Sequence, residues 1–209
     1  MGEEVEGGQA PSWRRRATVA HETQTGRGYN ERPLRMNALS EPWKPSVTVA
    51  AIVHEPREDR YLLVEEHTSD GIRLNNPAGH LDPGESLIEA AIRETLEETA
   101  YTFVPTGWLG AYMSRYASSR THRDVTYLRF AFVGTVTAHD PTRTLDTGII
   151  RAFWMSYDEL RASTERHRSS LVLRCIEDQR AGRLLPLEAL HADPSVYVDP
   201  DAGLHGARE

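Results

Sequence analysis

Apolar residues are sparse and unpatterned over residues 1–43, and from residue 44 onward they fall into short periodic runs. The first segment holds Gly, Thr, Arg and Glu with few branched aliphatics. It can bury too little apolar surface to offset its conformational entropy, so it is expected to stay unfolded. Within it, Arg14, Arg15 and Arg16 follow Trp13, but Glu3, Glu4, Glu6 and Glu22 dilute that charge and a solvated tail is expected. Met36 is a candidate start of the protein. Beyond it, residues 47–53 (VTVAAIV) read as a strand buried on at least one face, and residues 61–64 as a second, after a turn at 56–59. Two longer strands are predicted at 104–115 and 126–137, joined by the polar stretch 116–124, with another at 149–155. Helices are predicted at 157–162 and 169–180. No internal repeat occurs.

Between the second and third of these strands the period changes. Residues 79–101 read GHLDPGESLIEAAIRETLEETAY. Pro77, Gly79, Pro83 and Gly84 punctuate a loop, and Ser86 with Glu89 has the spacing of a capping box that starts a helix. Ile88, Ile92 and Leu96 recur every fourth residue and predict the buried stripe. Glu94, Glu97 and Glu98 stand at i, i+3 and i+4, so they share another face. Three like charges on adjacent turns repel. A hard divalent cation, Mg2+ or Mn2+, would remove that cost, because it prefers oxygen ligands. Ala90 and Ala91 are expected beside the acidic face, small enough to admit a polyphosphate. Taken alone, clustered Glu is more often a solvated helix face.

The spacing G-x5-E-x7-R-E-x-x-E-E, from Gly79 through Glu85, Arg93, Glu94, Glu97 and Glu98, resembles the Nudix box of metal-dependent hydrolases that cut diphosphates linked to another moiety. At residue frequencies of about one in fifteen, six such matches arise by chance roughly once in ten million start positions. The resemblance implies an α/β fold, the Nudix α/β/α sandwich with a mixed sheet and a catalytic loop-helix. It implies metal ligands at Glu94 and Glu98, with Glu97 as a further ligand and the Gly79 carbonyl as another; Glu94 alternatively orients or deprotonates the water. It also implies an Arg93–Glu85 salt bridge that fixes loop against helix. Ala100 departs from the family's Gly just after the helix. If that position is left-handed, a non-Gly residue costs roughly 1–2 kcal/mol there; otherwise the helix runs on or ends differently.

The resemblance extends from Lys44 to about Leu190 and is similar to the NudJ-type phosphatase branch. Lys44-Pro45-Ser46-Val47-Thr48-Val49, Asn76-Pro77-Ala78-Gly79-His80-Leu81, Leu128-Arg129-Phe130 and the run from Arg168 to Glu188 carry it. A Nudix domain over 44–193 and a tail over 194–209 follow. The branch implies nucleoside di- and triphosphates or thiamine-pathway pyrophosphates as substrates, with release of orthophosphate. Weaker candidates near the cleft are His67, His80, Tyr112, Tyr116, His122 and Arg129, with Asp146 as an extra acid.

Composition narrows the alternatives. With 209 residues and a net charge of −7, the chain lacks the basic surface expected of a nucleic-acid binder, which disfavours action on capped RNA. Cys175 is the single cysteine, so there is no disulfide framework, and on a helix it is expected to be a small buried apolar residue. The longest apolar run, 47–53, is too short to span a membrane, and a cytoplasmic monomer or homodimer is expected. A Nudix fold that binds nucleotide as a sensor without chemistry is the competing reading, against which the intact acidic triad stands.

Overall fold

The structure, a computed structural model, describes residues 43–118 and 123–198. The expectations for residues 1–42, for His122 and for residues 199–209 lie outside them.

Among the described residues, seven strands form one mixed sheet: β1 (Ser46–Glu55), β2 (Arg60–Thr68), β3 (Gly71–Asn75), β4 (Ala78–His80), β5 (Tyr101–Ser118), β6 (Arg123–His139) and β7 (Ile149–Ser156). β1 is the hub. It runs parallel to β6, with Thr48 opposite Arg129, and antiparallel to β4, with Thr48 opposite His80. Its far end turns into β2, which carries β3 on one side and β7 on the other. The predicted strand positions hold, but the pairs at 104–115 and 126–137 are each longer, and β3 and β4 were not foreseen.

Period-two alternation builds two cores, one on each side of the sheet. Val49, Ala51 and Val53 point one way, with Leu62, Phe103 and Phe132, onto helix α1 (Leu87–Thr99). Ile52 points the other way, with Tyr61, Leu63, Leu109 and Ala131, onto α2 (Tyr157–Ala162) and α3 (Leu171–Arg180) through Leu160, Cys175 and Ile176. This is the α/β/α sandwich. Cys175 is fully buried, and burial pushes its thiol up to about 11, as a small core residue requires. No helix among the described residues is long and apolar enough to cross a membrane.

α1 starts as expected: Ser86 accepts from the Glu89 N–H at 3.2 Å, and Glu89 accepts from the Ser86 N–H at 2.8 Å. Its buried face differs from the predicted stripe. Ile88, Ile92 and Leu96 are only half-buried, whereas Ala90, Ala91, Thr95 and Thr99 are buried. Small residues let the helix axis lie close to β1. Thr95 and Thr99 satisfy their hydroxyls on the carbonyls of Ala91 and Thr95, so neither is left unbonded in the core. Ala90 and Ala91 are therefore packing residues and do not flank a substrate. The helix ends at Ala100, which adopts the left-handed conformation (φ 59°) with its N–H on Leu96 O at 2.9 Å. The missing Gly is thus tolerated with the strained geometry intact.

Candidate active site

β4 brings the loop before α1 against the helix's acidic face. Glu98, buried, accepts the Ala78 N–H at 2.8 Å. One residue on, Gly79 passes so close to Glu94 that a Cβ there would meet the Glu94 carboxyl oxygens at 2.1 and 2.2 Å. Only glycine fits. Arg93 then ties the whole segment together. Its guanidinium donates to both oxygens of Glu85 (2.9 and 2.7 Å), to Glu94 and Glu97 (both 2.9 Å) and to the His80 carbonyl (3.0 Å). Glu85 also accepts the Asp82 N–H at 2.8 Å, and the Arg93 bond holds its carboxyl below the usual range.

Electrostatics concentrate on the two buried acids. Burial pushes Glu98 up to about 8; the Ala78 N–H works against that shift, and the charges of Glu66, Glu94 and Asp146 add to it. Glu94 is raised as well, first by burial and in part by Glu97 and Asp146, with Arg93 opposing. Asp146 reaches the site from the loop before β7, anchored by its N–H on Glu97 O at 3.1 Å. Glu66, from β2, is bound by Arg168 at 2.7 Å.

These groups line a cavity of about 650 Å³ with Gly79, His80, Tyr116, Arg129 and Arg168. Its lining mixes the acids Glu66, Glu94, Glu98 and Asp146 with the cations Arg129 and Arg168, and Arg168 is ion-paired to Glu66. Glu97 is not a lining residue; Arg93 holds its carboxylate at 2.9 Å. Among the weaker candidates, His80, Tyr116, Arg129 and Asp146 line the cavity, and the Tyr116 hydroxyl donates to Asp70 at 2.8 Å. Tyr112 does not: it packs toward α3, and its hydroxyl donates to Asp178 at 2.9 Å. His67 is exposed on β2 and also stands off the cavity.

The NUDIX domain family model matches residues 44–174. The chain belongs to the Nudix family. It is 35% identical to Phosphatase NudJ of Escherichia coli (strain K12) over 148 residues, 71% of this chain and 92% of that protein. A Nudix hydrolase from Nitrosomonas europaea is 50% identical, superposes with a TM-score of 0.65, and is matched over 72% of this chain and 98% of that one. A MutT Nudix hydrolase from Burkholderia pseudomallei, 14% identical with a TM-score of 0.51 over 65% of this chain and 98% of that one, shares the fold. The protein is accordingly a Nudix hydrolase, and the cavity above is its candidate active site.

Nudix hydrolases generally use divalent metal ions. Among the described residues, no three His, Cys, Asp or Glu side chains converge as an assembled metal centre, because Arg93 draws Glu94 and Glu97 to itself. The donor set nevertheless fits a hard cation. Glu94, Glu98 and the glycine backbone at 79 supply oxygen only, and the buried Glu66 Oε1 has no hydrogen-bond partner. Thr48, Glu66, Asn75 and Arg168 escaped the sequence reading. The predicted second strand stopped at residue 64, where the apolar run ends, yet β2 continues to Thr68 and carries Glu66 into the cavity.

Proposed function

We propose that this Nudix hydrolase cleaves phosphoanhydride bonds of nucleoside di- and triphosphates or of thiamine-pathway pyrophosphates, in a Mg2+- or Mn2+-dependent reaction that releases orthophosphate. The observation that carries the reading is the meeting of buried Glu94 and Glu98 with the Gly79 backbone at one wall of the cavity. Arg93 and the Ala78 N–H offset only part of the cost of burying these carboxylates, and a divalent cation would offset the rest.

A bound Mg2+ would neutralise phosphate oxygens and acidify a coordinated water. Glu94 and Glu98 would hold it, with Glu97 and the Gly79 carbonyl as further ligands. Glu94, its carboxyl raised by burial, orients the attacking water or takes its proton. Arg93 and Glu85 keep the loop registered on α1, so that Gly79 and Glu94 stay in contact range. The likeness to Phosphatase NudJ supports orthophosphate as the product.

The test is a phosphate-release screen across nucleotides and thiamine-type pyrophosphates, run with Mg2+ and with EDTA. Turnover with Mg2+ that EDTA abolishes is expected. Saturable nucleotide binding with no turnover in Mg2+ would replace the enzyme reading by that of a sensor.

A further inference from the structure

One cation in the cavity lining has no role in the chemistry above. Arg129 is buried, and its Nη1 has no hydrogen-bond partner among the described residues; Nη2 reaches only Asn75 Oδ1, at 3.5 Å. No carboxylate among the described residues pairs with it directly, and burial lowers its pKa while the charges of Glu66 and Glu98 oppose that shift. Beside it on β1, Thr48 Oγ1 is buried and also unbonded. Ser169, Ser170 and Leu171, which open α3, line the same cavity. The α3 N-cap, Ser170, makes no side-chain capping bond. The first helical N–H groups are engaged, Leu171 on Ser169 Oγ at 3.3 Å and Val172 on Ser169 O at 3.2 Å, so what this helix start offers an anion is the positive end of its dipole.

We propose that Arg129, Thr48 and the α3 N-terminus form a phosphate subsite, which anchors the phosphoryl group of the substrate that is not cut. It rests on the hydrolase reading above and deepens it by naming the side chains of this chain that hold the phosphate away from the acidic residues. The buried guanidinium supplies charge-assisted donors, the Thr48 hydroxyl another, and the α3 start a favourable dipole.

The test is calorimetric titration of inorganic pyrophosphate with EDTA present, so that no cation contributes. The wild type is expected to bind saturably, more weakly as salt rises. Arg129→Gln is expected to bind at least about tenfold more weakly, the size of a lost charge-assisted bond. Glu98→Gln, which removes a negative charge from the cavity, should bind as well as the wild type or better. In Mg2+ kinetics Arg129→Gln should raise KM more than it lowers kcat, with Arg129→Lys recovering part of the loss. Failure of the wild type to bind saturably, or equal binding by a folded Arg129→Gln, overturns the subsite. Should Arg129→Gln not melt cooperatively, Thr48→Val takes its place, and pyrophosphate binding equal to the wild type in that variant overturns the subsite. The titration needs no turnover, so a protein that hydrolyses nothing yet binds pyrophosphate through Arg129 would sink the proposed function and leave the subsite standing.

Discussion

A Cβ placed on Gly79 would sit 2.0 Å from the carboxyl carbon of Glu94. The two residues are fifteen positions apart, and their approach sets how near the β4 backbone lies to the buried acid. Glu94 can swing aside, because its carboxyl is the far end of a flexible side chain. Gly79→Ala is therefore expected to fold. Its kcat should fall about a hundredfold, since an ångström of displacement at a reacting centre costs that much. Steady-state kinetics with a melting curve check this, and a wild-type kcat in Gly79→Ala would remove the contact from the mechanism.

Arg93 offers a stability test. It balances Glu85, Glu94 and Glu97 at once, half-buried between loop and helix. Glu85→Gln loses one charged partner and keeps a hydrogen bond. Arg93→Met leaves three carboxylates without their cation and should cost more, about 1–3 kcal/mol in urea unfolding. Equal melting of the two variants would show that the guanidinium is not the hub of the segment.

The site was legible in the sequence wherever one helix fixed it. Spacing within a helix is rigid, so the shared face of Glu94, Glu97 and Glu98 and the Ser86 cap followed from position, while the Arg93–Glu85 bridge, which joins helix to loop, followed from the resemblance to the Nudix box. Groups that only the fold unites did not. Glu66 and Arg168 are 102 residues apart, and nothing local to either marks the pair. β3 and β4 hid in a Gly- and Pro-punctuated stretch because strands of five and three residues are too short to show a period. Tyr112 failed for a different reason. The ladder shifts register between Trp108 and Gly110, so simple alternation from Trp108 sends Tyr112 to the wrong face. The helical row Ile88–Ile92–Leu96 misled because close packing on β1 selected small residues over large ones.

Glu98 gives a pH dependence with a definite sign. Its carboxyl is pushed up to about 8 in the fold, against an ordinary 4.5. Between those values the folded state binds more protons than the unfolded state, so stability falls as pH rises through the window. In EDTA, wild type minus Glu98→Gln should therefore lose melting temperature from pH 5 to pH 8. Saturating Mg2+ should flatten the difference, because a bound cation compensates the charge. Glu98→Gln should also lose kcat by orders of magnitude while remaining folded. Near-normal turnover in that variant, or in EDTA, would remove Glu98 from the metal site.

The product of GTP hydrolysis distinguishes two registers of the same site. Attack at one phosphorus gives GMP and pyrophosphate; attack at the terminal one gives GDP and orthophosphate. The Nudix box does not choose, since a cation held by Glu94 and Glu98 would polarise whichever phosphoryl group is presented to it. The choice falls to the groups that place the rest of the substrate: Arg129 and the α3 start on one side, Asp146 and Tyr116 around the rim. If Arg129 grips an inner phosphate, the outer one lies at Glu94 and Glu98 and leaves as orthophosphate. Chromatography of a GTP digest should show GDP and orthophosphate appearing together, with GMP only after GDP has accumulated. GMP and intact pyrophosphate from the first turnover would reverse the register, and would place Glu94 and Glu98 at an inner phosphorus.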